Sequence, residues 1–379
     1  IKYGLYARFI KLTIQFLSRF SDLEWFFDIL NVVYNPHAIM EYAVPIVSAI
    51  DSVFAAQLLL SMAFGSWANT MLKWILVEER PYWWVRETTY YDNHTRPIIQ
   101  HGVHTCETSP GSPSGHVAAA ATMGLTRVGM YFNRLPHKMI YFAIMINVAL
   151  ARMYAGAHFP HQCLMGGLVG ECQMFRGCYH YRLFLYRGET FKRYPPQQVT
   201  RTVVKHVVFA CALTALAMLL IVMYMVLKID LHWATRLAFR WCTSPEHIHV
   251  KSTPIFSMIQ STGSLIGWAL VVTPEITKFR HNTRTKNSLV AITGTIGAMY
   301  FFRHIQEMFP NRRFPFYALH FAMNVAKPYV YLRMLPAASL KTYLGGAEPT
   351  PVQISRQQGN PHPPAQRAQP IRAANKKDN

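Results

Sequence analysis

Side chains suited to binding and transferring a phosphoryl group are concentrated in three short segments of the chain. The segments read KWILVEERP at 73–81, PSGH at 113–116 and ARMYAGAH at 151–158. Together they supply a lysine, two arginines, two histidines and a Ser-Gly turn. A phosphoryl group in transfer needs cations and N–H donors around its equatorial oxygens, a nucleophile in line on one side and an acid on the other. The three segments therefore predict a phosphate-handling site.

The histidines and the cations have separate predicted roles. We expect His158 to be the nucleophile, because neutral imidazole attacks phosphorus near neutral pH and its phosphoramidate hydrolyses readily. We expect His116 to protonate the departing oxygen and then to activate the water that releases phosphate. The phosphate oxygens are expected to be held by guanidinium, ammonium, hydroxyl and backbone N–H groups of Lys73, Arg80, Arg152, Ser114 and Gly115.

Charged neighbours of these residues leave alternatives open. His161 follows His158 by three residues and is the competing nucleophile, although its position outside the spacing favours a neighbouring role. Glu78, Glu79 and Glu107 are interpreted as loop charges, with an orienting role toward a cation or a histidine as the alternative for Glu107. The sequence has no Walker-type Gly-rich loop and no carboxylate cluster for magnesium, so we expect neither a metal nor a cofactor.

Spacing also predicts the local structure around the three segments. Lys73 and Arg80 are two helical turns apart, so we expect both on one face of a helix that ends at Pro81. The aromatic residues at 82–84 are interpreted as a membrane-interface belt, with stacking against a substrate ring as the alternative. His116 is expected at the turn that enters a helix over 117–132.

Composition favours a polytopic membrane protein over the alternative of a soluble protein with a large helical core. Hydrophobic residues make up 51% and charged residues 15% of the 379 positions. The net charge of +20 is interpreted as basic loops that orient membrane spans, not as a nucleic-acid-binding surface. We predict an all-α fold with about nine transmembrane helices, near 38–50, 53–75, 115–132, 138–151, 162–175, 207–227, 254–273, 287–302 and 314–335.

The three segments resemble the signature of the vanadium haloperoxidase and type-2 phosphatidic acid phosphatase superfamily, KxxxxxxRP, PSGH and SRxxxxxHxxxD. Within that superfamily, LKWILVEERPYWWV, TCETSPGSPSGH and ARMYAGAHFPHQ resemble the glucose-6-phosphatase catalytic subunit family. The close resemblance covers roughly residues 70–165. Ala151 stands where the signature has Ser, and Gln162 stands where it has Asp. The ending HFPHQ is similar to the glucose-6-phosphatase branch.

The resemblance implies an enzyme that hydrolyses glucose 6-phosphate to glucose and phosphate through a phosphohistidine. It implies an endoplasmic reticulum membrane protein in contact with membrane lipid, working beside a separate sugar-phosphate transporter. A lipid phosphate phosphatase is the second hypothesis, although that family is shorter and completes its last motif with Asp. A non-catalytic membrane transporter or scaffold is the third. No inverted repeat of broken helices is visible in the sequence, and a scaffold would not need the motif side chains intact.

Loop charges and a glycosylation sequon predict the sidedness. The loops at 176–205 and 274–286 are rich in Lys and Arg, which the positive-inside rule assigns to the cytosol. The loops at 76–114 and 152–161, which carry the motifs, then face the lumen. The sequon Asn93-His94-Thr95 lies in the first of them, so we expect a glycan on Asn93.

The chain is expected to form one membrane-embedded phosphatase domain over 1–345 and a disordered cytosolic tail over 346–379, rich in Pro, Gln, Ala and Arg. The residues Lys376-Lys377 near its end resemble an endoplasmic reticulum retrieval signal, with a chance basic tail as the alternative. The chain starts at Ile1 without a readable signal peptide, and we expect its first span to serve as a signal anchor.

The six cysteines show no CxxC pair and no metal-site spacing. Most lie in predicted spans, where a free thiol behaves as a small apolar side chain. Cys106 and Cys242 lie where they could face an oxidising compartment. The sequence leaves the pairing of the cysteines open.

Overall fold

The computed structural model describes residues 2–18, 21–92, 94–99, 102–131, 135–172, 196–272, 288–308 and 313–343. These residues form helices and connecting turns, apart from one isolated parallel bridge between Glu107 and His249. The all-α prediction is confirmed for this part of the chain. The predictions for Asn93, for the basic loop at 274–286, for most of the basic loop at 176–205 and for the tail at 346–379 fall outside the described residues.

The helices of the first half of the chain lead to the three motif segments. In chain order they are α1 (Lys2–Ser18), α2 (Glu24–Val33), α3, α4 (Ser52–Leu76), α5 (Pro81–Glu87), α6 (Gly115–Tyr131), α7 (Leu135–Tyr154) and α8 (160–172). α3 joins Pro36–Ala38, a π-helical turn at Ile39–Ala43 and Val44–Ile50 into one continuous helix.

The helices of the second half pack around the first group. They are α9 (Pro196–Val226), α10 (Trp233–Trp241), α11 (Pro254–Val271), α12 (Ser288–Met308) and α13. α13 begins as Arg313–Tyr329, passes through a π-helical turn at Val330–Met334 and ends as Leu335–Tyr343.

α4 lies at the centre of the helix bundle. It packs against α3, α6 and α11, and α11 in turn packs against α9 and α13. The Asp51 carboxylate caps the start of α4 by accepting hydrogen bonds from the backbone N–H groups of Val53 and Phe54. The main hydrophobic core, which includes Leu58 and Leu265, lies between these helices. Burial of α4 along most of its length gives its last turn a defined position.

Each of the nine predicted spans coincides with a helix of the structure. Among the described residues, two helical segments are long and apolar enough to cross a membrane, Val203–Val226 in α9 and Pro254–Val271 in α11. α9 exposes a run of large apolar side chains that includes Leu219 and Val226. Nine membrane crossings remain a prediction.

Four helices were not among the predicted spans, namely α1, α2, α5 and α10. α1, α5 and α10 meet in a second hydrophobic cluster that contains Tyr6, Trp83 and Ala238. Phe159, which follows one of the predicted site histidines, lies in the same cluster. α1, α5 and α10 therefore pack around one end of the motif segments.

A disulfide between Cys106 and Cys242 joins the loop before α6 to the residue after α10, with the two Cα atoms 5.9 Å apart. Hydrogen bonds reinforce this connection. The His249 backbone N–H donates to the Cys106 carbonyl at 3.1 Å, and the Thr235 hydroxyl donates to the Thr108 carbonyl at 3.0 Å. The segment 106–109 is thus held from its outer side while its inner side faces the motif residues.

Candidate active site

The first motif segment changes direction between its two cations. α4 ends at Leu76, where Val77 adopts a left-handed conformation with φ of 47° and its N–H donates to the Lys73 carbonyl at 3.2 Å. Arg80 has extended backbone, and Pro81 begins α5. The predicted single helix face for Lys73 and Arg80 is therefore wrong, because the helix stops one turn after Lys73.

Lys73 and Arg80 nevertheless reach the same residue, Ser109. The Lys73 ammonium donates to the Ser109 hydroxyl at 2.7 Å. Arg80 donates from Nε to the Ser109 carbonyl at 2.6 Å and from one terminal nitrogen to the Ser109 hydroxyl at 3.0 Å. The loop before α6, and not a shared helix, brings the two cations together.

The carboxylate of Glu107 lies at the centre of the predicted site residues. Its oxygens are 2.7 Å from an Arg80 terminal nitrogen and 2.6 Å from an Arg152 terminal nitrogen. They are also 3.5 Å from His116 Nδ1 and 3.8 Å from His158 Nε2. One buried carboxylate therefore contacts both arginines and lies beside both histidines, so the structure supports the orienting role and not the loop-charge interpretation.

Glu107 is held in its charged form by these neighbours. Burial by itself raises the pKa of the Glu107 carboxyl, but the positive charges of Arg80 and Arg152 outweigh burial and place the pKa well below its usual value. The carboxylate is consequently ionised at neutral pH. Two buried guanidinium groups that bind the same carboxylate would otherwise repel each other, so they need its negative charge.

His158 is oriented as a neutral imidazole whose Nε2 is unprotonated and accepts a hydrogen bond from Arg80. Its Nδ1 lies 2.7 Å from the Gly111 carbonyl, which can only accept, so Nδ1 carries the proton. Its Nε2 lies 3.2 Å from an Arg80 terminal nitrogen, which can only donate. Burial lowers the pKa of His158 well below its usual value, and the positive charges of Arg80 and Arg152 lower it further. This is the protonation state that a nucleophilic histidine requires.

Arg152 lies in the last turn of α7 and is fully buried. One terminal nitrogen donates to the Asn31 side-chain oxygen at 2.7 Å, and the other donates to Glu107 and, at 3.3 Å, to the His104 carbonyl. Its Nε is buried and has no hydrogen-bond partner among the described residues. A buried donor without a partner is available to an incoming anion.

The second motif segment forms the entry of α6 as predicted, with the helix starting at Gly115 and His116 in its first turn. The Ser114 backbone N–H donates to the Gln162 carbonyl at 3.0 Å. The turn is closely packed, because a Cβ on Gly111 would lie 2.6 Å from the Gln162 side-chain nitrogen. Only glycine at position 111 lets this turn approach the third segment and present its carbonyl to His158.

Two cavities flank the cluster. One, of about 360 Å³, is lined by Lys73, His116, Glu107 and Arg152, among others. The other, of about 510 Å³, is lined by His158 and lies on the side of α1 and α2. The two histidines thus border different cavities, with Glu107 and the arginines between them.

His161 lies outside this cluster. Its Nε2 is 2.9 Å from the Glu78 carboxylate, and its ring stacks on Phe159 and Tyr6. The rings at 82–84 are buried against α1 and α10, not exposed as an interface belt would be, and the Tyr82 hydroxyl donates to the Glu107 carbonyl at 2.9 Å. These rings therefore pack against the segment that carries Glu107 and help to fix its position.

The sequence matches the PAP2 superfamily over residues 54–186, a range that contains all three segments. The chain is 29% identical over 345 residues to glucose-6-phosphatase catalytic subunit 1 of Rattus norvegicus, covering 84% of this chain and 90% of the relative. It is 28% identical over 355 residues to glucose-6-phosphatase 2 of Homo sapiens, covering 86% and 93%. No solved structure matches. The resemblance seen in the motif segments is confirmed.

Gln162 connects the segments around the site instead of contacting His158. Its side-chain oxygen accepts from the Phe159 N–H at 3.1 Å, and its nitrogen donates to the Glu79 carbonyl at 2.8 Å and to Glu78 at 3.2 Å. Its own carbonyl accepts from Ser114. The position at which the superfamily signature has Asp is therefore a structural connection here, and a backbone carbonyl orients the histidine.

Sequence reasoning missed Ser109 and Asn31, which hold the cations, and undervalued Glu107. A signal for Glu107 was present, because it lies close before the Ser-Gly turn in a chain with few acidic residues. No signal marks Ser109 or Asn31, since their roles depend on contacts between distant parts of the chain.

Replacing Glu107 by Gln is expected to lower the free energy of unfolding by about 3–5 kcal/mol, because two buried arginines lose their counter-charge. The folded-state pKa of Glu107 is depressed, so its stabilising contribution is present above the unfolded-state value of about 4.3 and is lost as the pH falls through the lower folded-state value. The difference between wild type and Glu107→Gln should therefore be constant from neutral pH to about pH 5 and shrink below it.

Thermal unfolding of detergent-solubilised protein at several pH values measures this difference. Glu87→Gln is the matched control, since Glu87 pairs with Arg240 at 3.1 Å on a mostly exposed surface and should cost at most about 1 kcal/mol. Equal shifts for the two variants would show that Glu107 is not the organising charge.

Proposed function

We propose that this protein hydrolyses glucose 6-phosphate to glucose and phosphate through a covalent phosphohistidine on His158. The observation that carries the proposal is the neutral, Nδ1-protonated His158, whose Nε2 lone pair lies among Arg80 and the Glu107–Arg152 pair. Glucose 6-phosphate as the substrate is supported by the similarity to glucose-6-phosphatases along most of the chain.

In the first step, His158 Nε2 attacks phosphorus, a nitrogen–phosphorus bond forms and the bond from phosphorus to the sugar oxygen breaks. His116 gives a proton to that oxygen as it leaves. Glu107, 3.5 Å from His116 Nδ1, places a negative charge beside the ring that partly offsets the positive charge of Arg152 there.

In the second step, His116 accepts a proton from water, and the oxygen of that water attacks phosphorus. The nitrogen–phosphorus bond breaks, the electron pair returns to Nε2 of His158, and inorganic phosphate leaves. Lys73, Arg80 and Arg152 stabilise the charge on the equatorial oxygens in both steps.

The formal charges of the cluster match a phosphate monoester. With Lys73 protonated, three cations and the Glu107 carboxylate leave two positive charges, which a dianionic phosphate monoester neutralises. The unpartnered Nε of Arg152 offers a donor for one of its oxygens. At the start of α6, Gly115 is proposed to bind phosphate through its backbone N–H and Ser114 through its hydroxyl, since the Ser114 N–H donates to Gln162.

The cavity beside His116 supports a compact polar leaving group. A leaving group must lie on the side of the acid that protonates it, and His116 borders the cavity of about 360 Å³. That cavity includes polar side chains such as Asn69, Thr70 and Ser252 on its walls. These polar side chains, set among apolar ones such as Ile248, offer hydrogen-bond partners to the hydroxyls of a sugar phosphate.

We propose an endoplasmic reticulum membrane location, about nine spans and a lumenal site, with Asn93 glycosylated and residues 346–379 in the cytosol. The Cys106–Cys242 disulfide supports a lumenal position for the loop that carries Glu107, since disulfides persist in oxidising compartments. Glucose 6-phosphate made in the cytosol then needs a separate sugar-phosphate transporter to reach the site.

Replacing His116 by Ala is expected to lower kcat for glucose 6-phosphate by about 10²–10⁴-fold. The first turnover of p-nitrophenyl phosphate should fall much less, because nitrophenolate leaves without a proton. A stopped-flow burst of nitrophenolate followed by slow phosphate release would reveal the blocked second step. His161→Ala should stay close to wild type. An equal loss for both substrates in the first turnover would contradict the acid role of His116.

Asn93 is expected to carry a glycan, because it lies in the only Asn-x-Ser/Thr sequon of the chain and in the proposed lumenal loop. Endoglycosidase should shift the wild-type band on a gel, and both Asn93→Gln and Thr95→Ala should abolish the shift. Labelling of a cysteine at position 93 by an impermeant thiol reagent in intact, right-side-out microsomes would place the loop in the cytosol and refute the topology.

A further inference from the structure

A polar stripe on α4 forms one wall of the cavity beside His116. Ser66, Asn69 and Lys73 follow one another at spacings of three and four residues, so they share a face of the helix, and all three line the cavity. Lys73 ends the stripe at the cation cluster, where it contacts Ser109. Asn69 lies one helical turn farther from the cluster along the same cavity wall.

Asn69 is buried and incompletely satisfied. Its side chain is 8% exposed, and its amide oxygen has no hydrogen-bond partner among the described residues. Its amide nitrogen lies 3.6 Å from the place a Cβ on Gly115 would occupy, next to the Ser-Gly turn. A buried carbonyl oxygen without a donor is costly, so it calls for a partner, and Asn69 belongs to a cavity in which a ligand could supply one.

The chemistry of the free atom separates sugar from phosphate. An amide oxygen accepts hydrogen bonds, and a dianionic phosphate has no proton to donate to it. A hydroxyl of the leaving group can donate. The free oxygen of Asn69 therefore fits the polyol part of a sugar phosphate and not its phosphoryl part.

We propose that Asn69 is a specificity-determining residue that accepts a hydrogen bond from a hydroxyl of the sugar, in the cavity between α4, the start of α6 and the segment 248–252. This inference rests on the proposed hydrolysis of a sugar phosphate at the same site. Two residues one helical turn apart on α4 would then bind different parts of the substrate. Lys73 binds the phosphate, and Asn69 binds the leaving group.

The test compares two substrates that share the phosphate and differ in the leaving group. Asn69→Leu removes the acceptor with little change of volume, and kcat/KM for glucose 6-phosphate should fall about tenfold. For p-nitrophenyl phosphate, which has no sugar hydroxyl, kcat/KM should stay within about twofold of wild type. Asn147→Leu, at an asparagine on α7 whose amide donates to the Ala143 carbonyl, is the matched control and should leave both values unchanged.

Monodeoxy analogues of glucose 6-phosphate identify the partner hydroxyl. One analogue should lose about tenfold in kcat/KM with wild-type protein and lose nothing further with Asn69→Leu. If Asn69→Leu does not fold, Asn69→Asp keeps the acceptor oxygen, and it should preserve the preference of the wild type among the deoxy analogues.

The possible failures are distinguishable. Equal loss on both substrates with Asn69→Leu, or loss of that preference in Asn69→Asp, would assign Asn69 a structural role and overturn the inference. Unchanged kcat/KM for glucose 6-phosphate in Asn69→Leu would overturn it too, with the proposed function intact. A wild-type protein that cleaves p-nitrophenyl phosphate but no sugar phosphate would overturn the proposed function itself.

Discussion

The carboxylate of Glu107 lies between two fully buried guanidinium groups, and the arrangement of the site depends on this contact. Arg80 lies in the extended segment after α4, and Arg152 lies at the end of α7; both contact Glu107. Without a negative charge between them, these side chains would repel one another in a region from which water is largely excluded. The surrounding structure keeps the carboxylate in place through the disulfide at Cys106 and through Tyr82, whose hydroxyl binds the Glu107 carbonyl.

The same arrangement holds both histidines in the positions that the proposed nucleophile and acid require. The Gly111 carbonyl fixes the orientation of His158, and burial together with Arg80 and Arg152 keeps the ring neutral, with Nε2 unprotonated and accepting from Arg80. The Glu107 carboxylate lies beside both histidines, at 3.5 Å from His116 and 3.8 Å from His158, but of the two only His116 borders the cavity that we assign to the leaving group. The proposed nucleophile and the proposed acid are thus distinguished by position, because they border different cavities. The cations around them leave a net positive charge that a phosphate dianion neutralises.

The sequence was sufficient to predict the motif segments, the helical class and the positions of the long helices, because these features depend on local spacing and hydropathy. The prediction that Lys73 and Arg80 share a helix face was wrong, because the left-handed conformation of Val77, which ends α4, has no signature in the sequence. The roles of Glu107 and Ser109 and the Cys106–Cys242 pair depend on chain segments that are far apart in sequence. The short helices α1 and α10 were missed because they are too short or too polar to resemble membrane spans, although they pack against the site.

The most direct test of the account is to locate the phosphate on the protein during turnover. Rapid acid-free quenching with radiolabelled glucose 6-phosphate, followed by peptide mapping, identifies both the modified residue and the modified ring nitrogen. The structure predicts phosphate on Nε2 of His158, because Nδ1 carries the proton donated to Gly111. His158→Ala, as the control, should carry no label. Phosphate on Nδ1 of His158, on His161, or on the His158→Ala protein would contradict the account.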